Sequence, residues 1–565
     1  MSSPSFPEPS HNHPGSSSDA LDAAIRRVAS KKDEWAQLGI PERLVILRQL
    51  LAGVLDVAPA WVADGCRAKG LSPDESLAGE EWLAGPATTV RNIRLLIEAL
   101  EAKGQPRPPA VSARPNGQQV ARVFPTGLMD KLMFAGVTAE VRIQPGKPAS
   151  QGAIYRTPSQ QGKACGVLGA GNVSSIAPMD VLYKLFVENE VCVLKMNPVN
   201  AHVGPHIERA FASLVEAGYL AVVYGGVEVG KALTSHPLID TLHITGSDKT
   251  YDAIVWGATP EEQAKNKAAG TPINPRPFSA ELGCVTPVLV VPGKWSESDL
   301  DTQARHVVGM VTQNASFNCN AAKVLLTAKG WDQREAFLAK VREHMKLAPA
   351  RKAYYPGAQQ RFEGFLSRYP QAERLGEARE GAVPWTFIPS VGQTPDEYAL
   401  SNEAFCGVLT ETALDANDAA SFIDQAVPFA NDRCWGTLSC MIIVDPKTES
   451  ALGERFEQAI DNLRYGGVGV NVWAALNYGL VSTTWGAFPG HPPEDIRSGA
   501  GVVHNTFLFD HPERSIVRGP FRPNPKPVWF PDHKNLKAVG ERLVAMEASP
   551  GIGGLLSIAL AAFKA

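Results

Sequence analysis

CGVLGAGNVSSIAPMDVLYKLFVENEVCVLK, residues Cys165 to Lys195, carries two short apolar runs, Cys165 to Leu168 and Val191 to Leu194, with a helical run between them. Two further runs, Ala221 to Tyr224 and Leu242 to Ile244, continue the alternation. Strand, helix, strand in this order predicts a parallel sheet with helices on its faces. A nucleotide at the carboxyl edge of the strands is the expected ligand.

The first turn of that unit holds Gly169 and Gly171, two positions of a dinucleotide fingerprint, but Ser174 stands where the third glycine belongs. The second strand ends in Lys195, where that fingerprint places an acid for the ribose hydroxyls. The standard form is therefore not met. Asp240 to Thr250, DTLHITGSDKT, reads as a strand and a Thr-Gly-Ser turn into a helix, whose first N–H groups can receive a phosphate. His243 reads as a packed strand residue.

Two later segments carry candidate chemistry. In Gln313 to Thr327, QNASFNCNAAKVLLT, Cys319 falls between a predicted helix over Leu300 to Val311, with Asp299 as its N-cap, and a predicted strand over Ala322 to Leu326. Small neighbours there let a substrate approach the sulfur, and nearby N–H groups can face a developing negative charge. Most free cysteines are buried small hydrophobes, which is the competing reading. In Phe278 to Val291, FSAELGCVTPVLVV, Glu281 precedes a near-continuous apolar run. Held in a cleft, it has the raised pKa that suits a general base; turned outward, it is a solvated rim charge.

Together these segments resemble the aldehyde dehydrogenase superfamily. Its Glu-Leu-Gly-Gly and Asn-Ala-Gly-Gln-x-Cys stretches stand here as Glu281-Leu282-Gly283-Cys284 and Asn314-Ala315-Ser316-Phe317-Asn318-Cys319. Further segments follow in the family's order: Asn172 in place of the Asn of Pro-Trp-Asn, Lys195 in Val-Leu-Lys, Thr245-Gly246-Ser247 in Phe-Thr-Gly-Ser, Glu403 and Phe405 in Glu-x-Phe-Gly-Pro, and Gly466 to Asn471, GGVGVN. Ala430-Asn431-Asp432 and Trp435 to Leu438 echo Ala-Asn-x-x-x-Tyr-Gly-Leu. The resemblance runs from about Asp19 to Pro520. Departures are Ala170-Gly171 for Pro-Trp, Tyr251 for a later glycine, and Cys406-Gly407 for Gly-Pro.

The resemblance implies an α/β, aldehyde-dehydrogenase-like fold: a Rossmann-like cofactor domain (19–140 and 159–280), an α/β catalytic domain (281–503) and a β-hairpin oligomerisation arm (141–158 and 504–520). Val141 to Ile143 and Ala153 to Arg156 are the predicted arm strands, standing away from the core. The implied catalytic residues are Cys319 as nucleophile, Glu281 as base and Asn172 as oxyanion holder. The implied cofactor residues are Lys195, Gly225, Thr245, Gly246, Ser247, Leu282, Glu403 and Phe405, for NAD or NADP. Pro198 stands where NAD-preferring members carry a ribose-binding Glu, which leaves Lys195 to attract a 2′-phosphate. The implied reaction is oxidation of a small-molecule aldehyde to a carboxylic acid through a cysteine thiohemiacetal and thioester. The alternatives are a CoA-acylating or reductive relative, and a catalytically silent member that binds.

Composition narrows the partners. The chain has 565 residues, long enough for two to four domains, with 44% hydrophobic and 20% charged residues and a formal charge of −4. Basic residues are scattered, so no nucleic-acid footprint is expected. Eight cysteines show neither a CxxC pair nor zinc spacing, so no metal is expected and a reducing cytoplasm fits. Residues 1–18 read as a disordered polar tail and not a secretory signal. Glu80 to Ala102 reads as a helical stretch broken at Pro86, Gln105 to Asn116 as a surface connection, and Tyr251 to Pro277 as a surface insertion. In the extension 521–565, the run from Gly551 is too short to span a bilayer, so no stable membrane insertion is expected. The family likeness implies a homodimer or homotetramer.

Overall fold

The computed structural model describes residues 14–377 and 379–562. Among these residues the chain builds two large sheets. The smaller has the strand order Gly499–Ala500, Phe278–Glu281, Thr241–Thr245, Lys163–Leu168, Glu190–Lys195, Leu220–Val223. The last five run parallel. The interiors of the middle three, Thr241–Thr245, Lys163–Leu168 and Glu190–Lys195, are buried throughout, which is why the sequence shows continuous apolar runs there in place of alternation. Leu168, Lys195, Thr245 and Glu281 all lie at carboxyl ends of strands, so four sequence signals share one sheet edge.

The second sheet is centred on seven parallel strands, in the order Pro512–Arg518, Gly467–Val470, Ser439–Ile443, Pro287–Val290, Val324–Ala328, Val408–Leu414, Thr386–Ile388. The chain leaves the first sheet at Glu281 and enters the second at Pro287, so the carboxylate sits where the two sheets face each other. The helix Glu297–Thr312 then returns the chain to that junction. Its cap is Ser296, not Asp299. The Ser296 hydroxyl accepts from the Asp299 N–H at 3.2 Å, and the Asp299 carboxylate accepts from the Ser296 N–H at 3.0 Å.

Several expectations are corrected. Ala153–Arg156 is a helical turn and not a strand. Thr138–Ile143 does not stand away from the core: it pairs antiparallel with Gln119–Phe124 and with Pro512–Arg518, and the latter pairs with Gly467–Val470, so all join the second sheet of the same chain. Gln105 to Asn116 contains the fully exposed outer strand Ala110–Ala113. Pro86 does not break its helix, because Leu83–Ala87 widens into a π turn that absorbs the missing donor. Within the predicted tail, residues 1–13 lie outside the described residues. The adjoining stretch is fixed: the Ser16 N–H donates to the Tyr224 carbonyl at 2.9 Å, and Ser17 caps the helix Ser18–Ala29.

The insertion is partly helical, with Pro260–Ala269 opened by a Thr259 and Glu262 capping box. The helix Ile40–Ala68 is long and apolar enough to cross a membrane by composition, but Leu47, Leu50, Val54 and Trp61 belong to the core beneath the first sheet.

Candidate active site

Two cavities meet at Cys319 and Glu281. The first, about 1230 Å³, runs along the carboxyl edge of the smaller sheet, and the second, about 340 Å³, lies on the other side of the sulfur. Cys319, Glu281 and Ile176 line both. Cys319 is partly exposed while the other seven cysteines are buried.

The loop before the sulfur is strained. Asn314, Ala315 and Ser316 have φ of 53°, 55° and 70°, three successive non-glycine residues in the left-handed region. A buried polar network holds them there. The Asn314 side-chain amide donates to the carbonyls of Asn172 (3.0 Å) and Phe317 (3.2 Å), and its oxygen accepts from Lys69 Nζ (3.0 Å) and the Tyr354 hydroxyl (2.9 Å). Lys69 is paired with Glu81 at 2.7 Å, and Glu80 accepts from Arg351 at 2.7 and 3.0 Å and from the Asn314 N–H at 3.2 Å. The same network fixes Asn172, whose carbonyl accepts from Lys69 and Tyr354 and whose side-chain amide donates to the Phe317 carbonyl at 3.0 Å. The loop's shape is therefore imposed by residues far away in sequence.

Removing one partner from such a buried pair leaves an uncompensated charge and costs about 3–5 kcal/mol. Lys69→Met should therefore lower unfolding stability by that order in a urea titration, and adding Glu81→Gln should recover part of the loss. An unchanged midpoint for Lys69→Met would remove the network from the account of the loop.

Glu281 is buried, and its Oε1 lacks a hydrogen-bond partner. Burial, and then the negative charge of Asp180, push its carboxyl up to about 8. The Cys319 thiol is raised well above its ordinary range by burial and by Glu281, while Lys323 acts in the opposite direction. Lys323 donates to the Cys319 carbonyl at 2.9 Å and pairs with Glu403 at 2.9 Å, tying the sulfur's backbone to the far wall of the large cavity. The resting pair is thus a thiol beside a carboxyl poised near neutrality.

Of the residues predicted for a cofactor, Lys195, Thr245, Gly246, Ser247, Leu282, Glu403 and Phe405 line the large cavity, as does Asn172. Gly225 does not. It is the turn residue (φ 138°) that delivers Gly226 and Val227 to the wall, at the start of the helix Val227–Ser235, which has no side-chain cap. Lys195 is lowered to about 8 by burial. Lys231, Lys249 and Arg276 line the same cavity. Arg276 comes from the predicted insertion, as do Ile273 and Asn274, so that segment walls the cleft. Nothing in its polar composition marked it, because the contact is made by tertiary folding.

The residues fit a dinucleotide: backbone N–H groups at an uncapped helix start, small residues along the edge, and five cations (Lys195, Lys231, Lys249, Arg276 and Arg361) against three acids (Asp248, Glu281 and Glu403) suit bridging phosphates. No group of three or more His, Cys, Asp or Glu able to hold a metal occurs among the described residues.

Comparison with known proteins agrees with this geometry. A family model described as the aldehyde dehydrogenase family matches residues 145–363. N-succinylglutamate 5-semialdehyde dehydrogenase from Sphingopyxis alaskensis is 26% identical over 275 residues, 47% of this chain and 52% of that protein. The chain thus spans about half the length of this curated relative. The NADP complex of NADP-dependent glyceraldehyde-3-phosphate dehydrogenase from Bacillus halodurans C-125 has a TM-score of 0.56 at 16% identity, covering 89% of this chain and 91% of that one. The NAD+ complex of Mycobacterium tuberculosis aldehyde dehydrogenase has a TM-score of 0.57 at 16% identity, covering 90% and 92%. Those two likenesses establish a shared fold. The family match over residues 145–363 and the ordered motifs around Cys319 and Glu281 liken this chain to the aldehyde dehydrogenase family.

Proposed function

We propose that the protein oxidises an aldehyde to a carboxylic acid, with NAD or NADP as acceptor. The observation that carries this reading is the meeting of two cavities at one sulfur and one carboxylate. A substrate entering from the small cavity presents its carbonyl carbon to Cys319 Sγ. The thiol proton passes to solvent as the carbon–sulfur bond forms, which leaves the Glu281 carboxyl, poised near 8, free for the later water step. The resulting oxyanion is held by the Asn172 side-chain amide and the Cys319 backbone N–H. A nicotinamide dinucleotide bound in the large cavity supplies the hydride acceptor. Glu281 then deprotonates a water that attacks the thioester, releasing the acid and restoring the thiol.

The test is to incubate the protein with an aldehyde and NAD or NADP in 18O-labelled water, with and without CoA. Reduced coenzyme and a carboxylic acid carrying at least one labelled oxygen are expected under both conditions. An acyl-CoA as the sole product, or no coenzyme reduction, overturns the proposal. Glu281 favours the hydrolytic outcome over CoA release, because a buried base has no role in a transfer that spares water.

Coenzyme choice follows from charge. Lys195 meets no acid at its strand end, and Pro198 offers none. A 2′-phosphate there restores the charged form of Lys195 that burial disfavours. Lys195→Ala should raise the KM for NADP about tenfold to a hundredfold, the worth of one charge-assisted hydrogen bond, and the KM for NAD by less. Equal loss for both coenzymes would place the lysine away from the phosphate.

A further inference from the structure

Resting on the reading of Cys319 as the nucleophile, we propose that the small cavity selects uncharged aldehydes on an apolar chain, and that the C-terminal segment 521–562 is the wall that sets this choice. The cavity's charged lining residues are Glu80, Glu281 and Lys526. Glu80 is engaged by Arg351 and the Asn314 N–H. Lys526 is neutralised by Asp532 at 3.0 Å. Among the described lining residues no cation is therefore left over to receive a substrate carboxylate or phosphate. The large cavity, with its five cations, is built the opposite way.

One apolar wall of the cavity comes from the segment beyond the family resemblance. The helices Leu536–Ala548 and Ile552–Ala562 contribute Leu536, Val539, Leu543 and Ile558 to the cavity, with Trp529 before them. Leu83, Met133, Phe134, Ile176, Leu476 and Leu480 are among the apolar residues that face it from the rest of the molecule.

This wall is fixed to the body. A Cβ at Gly309 would sit 2.3 Å from the Trp529 carbonyl oxygen, and one at Gly79 would sit 2.3 Å from the Leu536 carbonyl carbon, so both glycines make room for its backbone. Glu547 is buried between Arg91 at 2.7 Å and Arg94 at 2.6 Å, and Arg522 grips Asp299 at 2.6 and 2.7 Å. Asn535 ties the two helices together through the Ala561 carbonyl at 2.9 Å.

Primary amides imitate the aldehyde head without reacting, so they report on the cavity alone. With the full-length protein, binding of propanamide, hexanamide, octanamide and the anion succinamate is followed by tryptophan fluorescence, since Trp473, Trp485 and Trp529 line the cavity. The dissociation constant should fall about fourfold per added methylene, and succinamate should bind no better than propanamide. Ile558→Arg should weaken octanamide at least about tenfold and improve succinamate. Val539→Phe, which keeps the wall apolar, should shorten the longest amide accepted.

Affinity independent of chain length, succinamate binding as tightly as octanamide, or an unchanged profile in both variants overturns the proposal. Amide binding of the expected kind in a protein that oxidises no aldehyde would count against the catalytic reading and for this one. Aldehyde oxidation with flat amide affinities would do the reverse.

Discussion

Cys319→Ala should lose aldehyde oxidation by at least about four powers of ten, the scale of removing a covalent nucleophile, while coenzyme binding measured by fluorescence titration persists. The sulfur lies at the junction of the cavities, so its loss deletes the bond-forming atom without removing the large cavity's cations. A second readout separates chemistry from folding. Seven of the eight cysteines are buried, and burial raises the thiols of Cys165, Cys192, Cys284, Cys406, Cys434 and Cys440. Iodoacetamide should therefore label the native wild-type protein once, at Cys319, and leave the alanine variant unlabelled. Because the Cys319 thiol is itself raised, labelling should quicken as the pH rises and not plateau near neutrality. Undiminished turnover by the alanine variant would end the assignment of the nucleophile.

That cysteine and its partner carboxylate were legible in the sequence because each sits in a short stretch whose local pattern constrains it. Glu281 closes a buried strand, and Cys319 lies between a helix and a strand. The parallel sheet was legible for the same reason: a strand buried on both faces must be apolar throughout. The supports of the site were not. Lys69, Glu80, Glu81, Arg351 and Tyr354 reach the Asn314 loop from distant parts of the chain, and each looks like an ordinary polar or aromatic residue in its own neighbourhood. Three left-handed residues in a row at Asn314, Ala315 and Ser316 leave no trace in composition, since none is a glycine.

Arg276 escaped for a related reason. Its guanidinium donates to the carbonyls of Ile239 at 2.9 Å and Thr234 at 3.1 Å, a tertiary contact that turns a polar insertion into a wall of the cleft. Ala153–Arg156 was misread because four residues carry too little periodicity to separate a helical turn from a strand.

Glu281→Gln should convert continuous turnover into a single burst. The amide keeps the size of the carboxyl but cannot take a proton, so acylation of Cys319 can finish while water attack on the thioester slows by about 10²- to 10⁴-fold. About one equivalent of reduced coenzyme per site should appear, followed by a slow phase, and mass spectrometry should find the acyl group on Cys319. The pH dependence separates the forms further. Wild-type hydrolysis should rise as the pH climbs through about 8, where the buried carboxyl gives up its proton, and the variant should be flat across that window.

Stability carries the same sign. The native carboxyl holds its proton to about 8, while an unfolded Glu releases it near 4.5, so the folded state binds more protons between those values and loses stability as the pH rises through them. Glutamine has no proton to lose, and the variant's unfolding midpoint should fall less steeply over that range. If adding CoA restores steady turnover to the variant, the thioester is accessible and Glu281 serves water alone. A variant with neither burst nor slowed steady rate would mean that the carboxylate, though beside the sulfur, does not act on the thioester.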